Sequence, residues 1–269
     1  MFLSKTVNFN IIKYTSLILY SLVIYVNYLA NALPIGGLTT GEVSDLLDNL
    51  FTPAGFTFSI WGVIYLSLFI FLISIFRVHN NMKPFIGKIL ILFNVNCLLN
   101  ISWIFAWHYK FFPLSLIIML CLLYTLILIS KEIKGSYNDF RFSYLYNVTS
   151  FSFNIYFGWI TVATVANFTG LLVSFEWDGL SISDEIWTSL IILVATSIAS
   201  FTFIKNKAIW YLFPVIWAFY GIYFKHTNGI LQDIYPIIIN ALILGIGILI
   251  LLLVRNISNL NYLNNNLIF

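Results

Sequence analysis

The sequence predicts an all-α integral membrane protein with about eight transmembrane helices. Hydrophobic residues make up 61% of the 269 residues and charged residues 9%, whereas about 25% of the residues in a soluble domain are charged. Eight apolar runs approach or reach the roughly 20 residues that a helix needs to cross a bilayer. Lys and Arg fall mainly on alternate connections between these runs, as expected when cytoplasmic loops keep positive charge.

The predicted spans follow one another with short connections, so no soluble domain is expected. They cover residues 11–31, 55–76, 86–107, 112–130, 147–171, 187–204, 208–224 and 234–254. The seventh is the shortest and contains Pro214 and Gly221, which weaken a helix interior, so seven spans is the alternative. Ala30-Asn31-Ala32 resembles a signal-peptidase site, but the first run exceeds the roughly 7 to 15 apolar residues of a signal peptide and is expected to stay in the bundle.

The charges indicate which way the bundle faces. With eight spans, every Lys and Arg except Lys110 and Lys225 falls on one side, and every acid except Glu132 and Asp139 falls on the other. Both termini are therefore expected in the cytoplasm, in a bacterial-type plasma membrane. The net charge of +3 then reflects membrane orientation, and no basic patch suited to nucleic acid is expected.

The spans lack the residues of most hydrolytic, nucleotide and ion-coupled chemistry. Lys13, Lys88 and His108 lie near span ends, where they are expected to reach headgroups. No catalytic triad, paired carboxylates, HExxH motif or phosphate-binding Gly-rich loop is found. Cys97 and Cys121 stand in no metal-binding pattern. We therefore expect no catalytic residue and no metal ligand.

The segment between the first two spans changes character along its length. Pro34, Gly36 and Gly37 predict a turn, and Ser44 is a candidate N-cap for a short amphipathic helix over residues 45–51. That helix either lies on the bilayer surface or, with residues 36–52, forms a lid over a cavity. The acids of this segment, Glu42, Asp45 and Asp48, lack the spacing of a cation site and are expected to be solvated.

Polar and aromatic residues form stripes on three spans. On the third span they fall at offsets 0, 4, 7 and 11, on the fifth at offsets 0, 3, 7 and 11, and on the second at steps of 3 and 4, each a single helical face. These residues are Asn96, Asn100, Trp103 and Trp107; Tyr156, Trp159, Ala163 and Asn167; and Phe58, Trp61 and Tyr65. Because Asn is costly facing lipid, the faces that carry it are expected to turn inward.

Two interpretations of these stripes remain open. In the first, the Asn residues are interhelical hydrogen-bonding groups and the Trp and Tyr residues form an interfacial belt. The belt is favoured for Trp107, Trp210, Tyr211 and Tyr223. In the second, favoured for Trp61, Trp103 and Trp159, the rings form an internal wall, which suits a flat, mostly apolar ligand.

Three motifs carry a family resemblance. They are Pro53 followed by Trp61-Gly62-Val63-Ile64-Tyr65; Asn96-x-x-x-Asn100-x-x-Trp103; and Tyr156-x-x-Trp159 with Ala163-Thr164 and Asn167. In this order and spacing the chain resembles the tryptophan-rich sensory protein family, bacterial relatives of the mitochondrial translocator protein (peripheral benzodiazepine receptor), over residues 11–172. Ala54, Phe56 and Ile155 depart from the family pattern of Pro-Pro-x-Trp and Pro-Tyr.

The resemblance implies a five-helix bundle over residues 1–172, with a three-helix extension of unknown role over residues 173–269. It also implies a cavity that binds porphyrins, and in some members sterols or other flat ligands. The ligand-binding residues so implied are Trp61, Tyr65, Asn100, Trp103, Tyr156, Trp159 and Asn167. A porphyrin or haem-like ligand is the cofactor candidate, and membrane lipid, a small hydrophobic ligand and a homodimer are the candidate partners.

The leading hypothesis is a binding protein for a tetrapyrrole or an isoprenoid- or sterol-like ligand, for sensing, sequestration or transport. A membrane enzyme that acts on a bound pigment or lipid in the same pocket is one alternative. A facilitative permease, with the extra helices completing a pathway, is another. Because the spans have almost no deep charged residues, ion-coupled transport is disfavoured.

Overall fold

The computed structural model describes residues 8–33, 35–47, 49–228 and 231–265, with side chains described as far as residue 256. Over these residues the chain forms ten α-helices and short 3-10 turns, without a strand. The helices are α1 Phe9–Ala32, α2 Thr40–Asp45, α3 Ile60–Ser74, α4 Lys83–His108, α5 Phe112–Gly135, α6 Tyr137–Phe140, α7 Tyr144–Ser174, α8 Asp184–Asn206, α9 Ile209–Thr227 and α10 Pro236–Asn265.

The all-α membrane architecture is confirmed. Seven helical segments of the described chain are long and apolar enough to span a membrane: Phe9–Gly37, Gly55–Arg77, Asn80–His108, Phe112–Gly135, Tyr144–Ser174, Asp184–Asn206 and Pro236–Asn256. Helix α9 corresponds to the weakest predicted span and is not among the seven. Its interior carries Trp and Tyr, and its last turn Lys225 and His226. Much of α9 is buried against other helices, including Tyr211, Leu212 and Phe219.

Local signals in the sequence account for several helix starts. The Asn8 side chain accepts a hydrogen bond from the Asn10 N–H at the start of α1, and Ser183 does the same for the Ile186 N–H at the start of α8. These contacts satisfy amides that have no partner within a helix. Helices α4 and α5 each have Pro in the first turn, where its missing N–H costs nothing.

Helix α7 is the centre of the bundle. It packs against α3, α5 and α9, while α4 packs against α1 and α5, and α10 packs against α8 and α9. Over its 31 residues α7 is buried almost continuously from Ser152 to Val162. The extension therefore contacts the first five spans chiefly through α7 and α9. The predicted boundary between residues 172 and 173 stays a prediction.

Two glycines allow α9 to approach its neighbours closely. A Cβ at Gly158 of α7 would lie 2.1 Å from the Tyr211 carbonyl oxygen and 2.6 Å from Pro214 Cγ. A Cβ at Gly221 of α9 would lie 2.0 Å from Thr57 Oγ1. Neither position has room for a side chain. Gly221, which weakens the predicted seventh span, is thus the place where that helix meets the segment before α3.

The segment between α1 and α3 differs from its predicted form. Its helix, α2, begins earlier than expected and is capped by Thr39, so the prediction that Ser44 caps a helix over residues 45–51 is wrong. Thr39 Oγ1 accepts from the Glu42 N–H, and the Glu42 carboxylate accepts from the Thr39 N–H. This reciprocal capping box holds the helix at Thr40–Asp45. Pro34 and Asp48 lie outside the described residues.

Candidate ligand-binding site

Two neighbouring cavities lie where α3 and α4 meet the segment of residues 35–59, which we call the lid segment. The inner cavity has a volume of about 60 Å³ and is bordered by residues of the lid segment, α3, α4, α5, α7 and α9. The side cavity has a volume of about 310 Å³ and is bordered by α1, α3, α4 and the lid segment. Both are lined by Thr40, Phe58, Trp61 and Trp103.

Five of the seven residues implied by the family resemblance line these cavities. Trp61 and Trp103 line both, Tyr65 lines the side cavity, and Trp159 and Asn167 line the inner cavity. Trp103 and Trp159 are buried, which confirms an internal position for these two rings. Ligand contact stays a prediction for all seven.

Asn100 and Tyr156 line neither cavity and instead form a hydrogen-bond network behind the aromatic wall. Asn27 Nδ2 of α1 donates to Asn100 Oδ1 over 3.0 Å, and Asn100 Nδ2 donates to Tyr156 Oη over 3.3 Å. Asn96 Nδ2 donates to Thr125 Oγ1 of α5 over 2.7 Å. The two Asn residues of the α4 stripe thus hold helices together, as expected of amides in an apolar bundle. The role of Asn27, which lies within the first predicted span, in this network was not predicted from the sequence.

The aromatic rings pack mostly edge to face. Trp61 stacks on Tyr65 with centroids 5.2 Å apart and presents an edge contact to Trp159 at 6.2 Å. Phe58 makes an edge contact with Trp159 at 6.0 Å, and Trp103 stacks on Trp107 at 5.7 Å. These separations are in the favourable range for aromatic pairs. The result is two ring clusters, one around Trp61 and Trp159 on α3 and α7 and one around Trp103 and Trp107 on α4, which together form the aromatic wall.

Two indole donors in this wall, Trp103 Nε1 and Trp159 Nε1, have no hydrogen-bond partner among the described residues, and both atoms are buried. The buried Tyr65 Oη lies beside the Asn100 amide. A buried donor left unpaired costs about 1–3 kcal/mol, and inside a membrane bundle little water is at hand to pair it. Donors of this kind, placed along cavities, suit a ligand that carries acceptors.

The lid segment is anchored to the end of α4 by two residues whose predicted roles are wrong. Trp107, expected in an interfacial belt, is buried and donates from Nε1 to the Thr40 carbonyl over 3.2 Å. His108, expected among headgroups, is 3% exposed. Its Nδ1 contacts the Ile35 carbonyl at 3.0 Å, and its Nε2 lies 3.1 Å from Thr40 Oγ1. Because a carbonyl only accepts, Nδ1 carries a proton, and in the neutral imidazole Nε2 then accepts from the Thr40 hydroxyl.

The lid segment is also tied to α7. Asn49 Nδ2 donates to Thr169 Oγ1 over 2.8 Å, and Asn49 Oδ1 accepts from the Phe51 N–H over 3.0 Å. Leu50 and Phe51 are buried, and Leu47 lines the inner cavity. The lid interpretation of this segment therefore fits the structure better than a helix on the bilayer surface.

Helix α9 makes a third set of contacts with the lid segment. Trp217 Nε1 donates to the Thr57 carbonyl over 2.9 Å, and His226 Nε2 donates to the Leu50 carbonyl over 2.9 Å. Lys225 Nζ lies 3.6 Å from an Asp45 oxygen. Helix α9 also places Ala218 on the inner cavity. This role of the extension was not predicted from the sequence, because these contacts join segments about 160 to 180 residues apart.

The belt predictions for Tyr211 and Trp210 have different outcomes. Tyr211 is fully buried and donates from Oη to Thr161 Oγ1 over 3.2 Å, so its assignment to the belt is wrong. Trp210 is 42% exposed and packs on Phe151 and Phe213, as a ring at a bundle surface does.

The lid segment carries one perturbed carboxyl group. Hydrogen bonds from the Thr39 backbone and side chain lower the pKa of Glu42 below its ordinary value, because they favour the charged form. Glu42 therefore caps α2 as a carboxylate. Among the described residues no group of three His, Cys, Asp or Glu side chains is placed to hold a metal ion.

Comparison with known protein families gives a match over most of the chain. The family model described as TSPO-like protein matches residues 13–255, and this range includes α9 and most of the described part of α10. No curated protein and no solved structure matches the chain.

Proposed function

Because this chain belongs to the TSPO-like protein family, we propose that it binds a flat, mostly apolar ligand in the cavities beneath the lid segment, with a porphyrin as the first candidate. The observation that carries the proposal is the pair of buried indole N–H groups, Trp103 Nε1 and Trp159 Nε1, which have no hydrogen-bond partner among the described residues. The role served by binding would be sensing, sequestration or transport.

The chemistry of the wall favours a ligand with a flat face and an acceptor-bearing edge. Ring faces and edges around Trp61 offer stacking and edge contacts to a planar molecule. The free indole N–H groups can only donate, so they select for carboxylates, carbonyls or ring nitrogen lone pairs. A porphyrin carries such acceptors at several points. A sterol- or isoprenoid-like ligand with a single oxygen offers fewer acceptors to these two indoles.

The cavity volumes indicate how such a ligand would fit. The side cavity, at about 310 Å³, is at the lower end of the range of roughly 300–1,000 Å³ for small-molecule sites. The inner cavity adds about 60 Å³. Phe58 and Trp61 border both cavities. A ligand as large as a porphyrin would displace one of these rings and join the two spaces.

For the membrane orientation, the charge distribution supports a lid segment on the outer side and both termini in the cytoplasm. The described connections at the lid end carry acids such as Glu176 and Asp184, while basic residues such as Arg77 and Arg141 lie on connections at the other end. This matches the bias of cytoplasmic loops toward Lys and Arg.

The proposal is tested by titrating protoporphyrin IX in the dark into the purified full-length protein in an uncharged detergent, following porphyrin emission. The test variant is Trp103→Phe with Trp159→Phe, which removes both free indole N–H groups and keeps aromatic rings. Trp210→Phe is the matched control, because Trp210 is exposed and lines neither cavity.

We expect saturable binding that weakens about tenfold or more in the double variant, since hydrogen bonds to charged acceptors contribute about 1.5–3 kcal/mol each. The control variant should bind like the unmodified protein. Equal binding by all three proteins would overturn the proposal. Illumination of the same samples distinguishes binding alone from turnover of the bound pigment.

A further inference from the structure

A third cavity, separate from the aromatic wall, lies at the lid end between α7 and α8. We call it the α7–α8 cavity. It has a volume of about 290 Å³. Two tryptophans, Trp177 and Trp187, and two carboxylates, Glu176 and Asp184, line it together with apolar residues of α7 and α8 such as Leu172 and Ile191. Most of it is formed by the chain that follows the first five predicted spans.

The two tryptophans form a fixed corner. Their ring centroids are 4.9 Å apart at an interplanar angle of 61°. Trp187 Nε1 donates to the Gly179 carbonyl, which fixes that ring against the turn between the helices. Trp177 is 38% exposed, so the corner can be reached from outside.

The two carboxylates at this cavity have no internal partner. Neither the Glu176 nor the Asp184 side chain takes part in an ion pair or hydrogen bond within the described part of the chain. Two acids close to them in sequence are engaged: Asp178 accepts from the Leu180 N–H, and Glu185 accepts from the Ile237 N–H. The unengaged acids of this connection are thus the ones that line the cavity.

We propose that the α7–α8 cavity binds an alkylammonium group, and a quaternary ammonium in particular. Electron-rich indole faces attract cations, and the ligands that use this attraction most fully are quaternary ammonium ions. The carboxylates supply the opposite charge, and the apolar side chains accept methyl groups. A small metal ion fits poorly, because it needs several oxygen ligands and no cluster of three ligating side chains is found among the described residues.

The charge at the lid end of the bundle, the end at which the lid segment lies, favours a cationic ligand. Its described connections hold seven carboxylates against two lysines, Lys110 and Lys225; the carboxylates are Glu42, Asp45, Glu176, Asp178, Asp184, Glu185 and Asp233. A surface with this imbalance raises the local concentration of cations. The inference does not depend on porphyrin binding, since no residue of the aromatic wall lines this cavity.

Radiolabelled choline, in a scintillation proximity assay on the full-length protein in a maltoside detergent at fixed ionic strength, tests the inference. Unlabelled tetramethylammonium should compete, whereas dimethylbutanol, the uncharged carbon isostere of choline, should not. Trp177→Leu, and separately Glu176→Gln with Asp184→Asn, should each weaken binding about tenfold. The control Asp178→Asn with Asp233→Asn removes two charges from the same end at residues that do not line the cavity. The amide at position 178 keeps an acceptor for the Leu180 N–H, so binding should weaken less than about twofold.

Nanodiscs distinguish a free ligand from a lipid headgroup. If phosphatidylcholine is the natural occupant, choline should bind in phosphatidylglycerol nanodiscs and lose its site in phosphatidylcholine nanodiscs; a free ligand should bind in both. Three results would overturn the inference: no saturable choline binding in any of these settings, equal competition by dimethylbutanol, or equal weakening by the cavity and control variants. Thermal melting of each variant verifies that it is folded. If the double variant unfolds, Trp177→Leu, which changes a partly exposed ring, remains as the test of the cavity.

Discussion

At the scale of single residues, the tryptophans divide by what their indole N–H contacts. Trp107, Trp187 and Trp217 each donate to a backbone carbonyl of a connecting segment and so hold that segment in place. The indole N–H groups of Trp103 and Trp159 have no acceptor among the described residues. The helical periodicity identified both as inward-facing. It could not separate them from Trp107, because the acceptor for Trp107 is the Thr40 carbonyl, far away in sequence.

The Asn49–Thr169 contact allows a residue-scale prediction about the lid segment. Thr169→Val keeps the shape of the side chain but removes the acceptor for Asn49 Nδ2. We expect it to lower the free energy of opening of residues 49–52 by about 1–2 kcal/mol, because a buried amide loses its partner. Hydrogen–deuterium exchange of the Phe51 amide, which donates to Asn49 Oδ1, should speed up accordingly.

Thr164→Val is the matched control on the same helix. Thr164 Oγ1 donates only to the Ile160 carbonyl of its own helix, so its loss should leave exchange at Phe51 unchanged. Equal acceleration in both variants would mean that the lid segment responds to α7 in general and that the Asn49 contact has no special role.

At the scale of elements, α9 is the helix whose structure adds most to the sequence prediction. Its position after α8 was expected, and so was its weakness as a span, given Pro214. Its contacts with the lid segment were not expected, because hydropathy indicates whether a helix can lie in a membrane but not which connecting segment it contacts. The lid helix α2 is the opposite case. The pattern Thr39-x-x-Glu42 is a recognisable capping box, and it was available in the sequence as a better N-cap than Ser44.

Gly221 tests the contact between α9 and the lid segment. Gly221→Ala should destabilise the protein by about 1–3 kcal/mol through overpacking against Thr57, despite the better helix propensity of Ala. Gly247→Ala in α10 is the control, because a Cβ there meets nothing within 4 Å; it should leave stability unchanged or raise it. Thermal unfolding in detergent measures both.

Combining Gly221→Ala with Thr57→Ala should restore part of the lost stability, since Thr57 Oγ1 and Cγ2 are among the atoms that a Cβ at Gly221 would strike. If Gly221→Ala melts like Gly247→Ala, the close approach of α9 to the lid segment does not exist in solution.

At the scale of the whole molecule, the sequence predicted the class of fold and the inward-facing stripes, because both depend on local composition and helical period. Composition and helical period alone could not predict the positions of the cavities, because these depend on where side chains from distant helices leave space. Asn100 and Tyr156 share stripes with Trp103 and Trp159, yet they bond to each other behind the wall. A polar and aromatic stripe predicts which face of a helix turns inward, but the packing of the helices determines which residues of that face line a cavity.

In the proposed binding mode, the buried, unpaired indole donors of Trp103 and Trp159 receive a ligand's acceptors. The most direct measurement is the nitrogen resonance of each indole in protein labelled with ¹⁵N-tryptophan, assigned by single Trp→Phe variants and followed during titration with protoporphyrin IX. We expect saturable shifts to lower field for Trp103 and Trp159, as their N–H groups become hydrogen-bonded. The resonances of Trp187 and Trp217, whose N–H groups already donate to carbonyls, should not shift. Saturation without a shift at Trp103 and Trp159, or equal shifts at all four tryptophans, would contradict this binding mode.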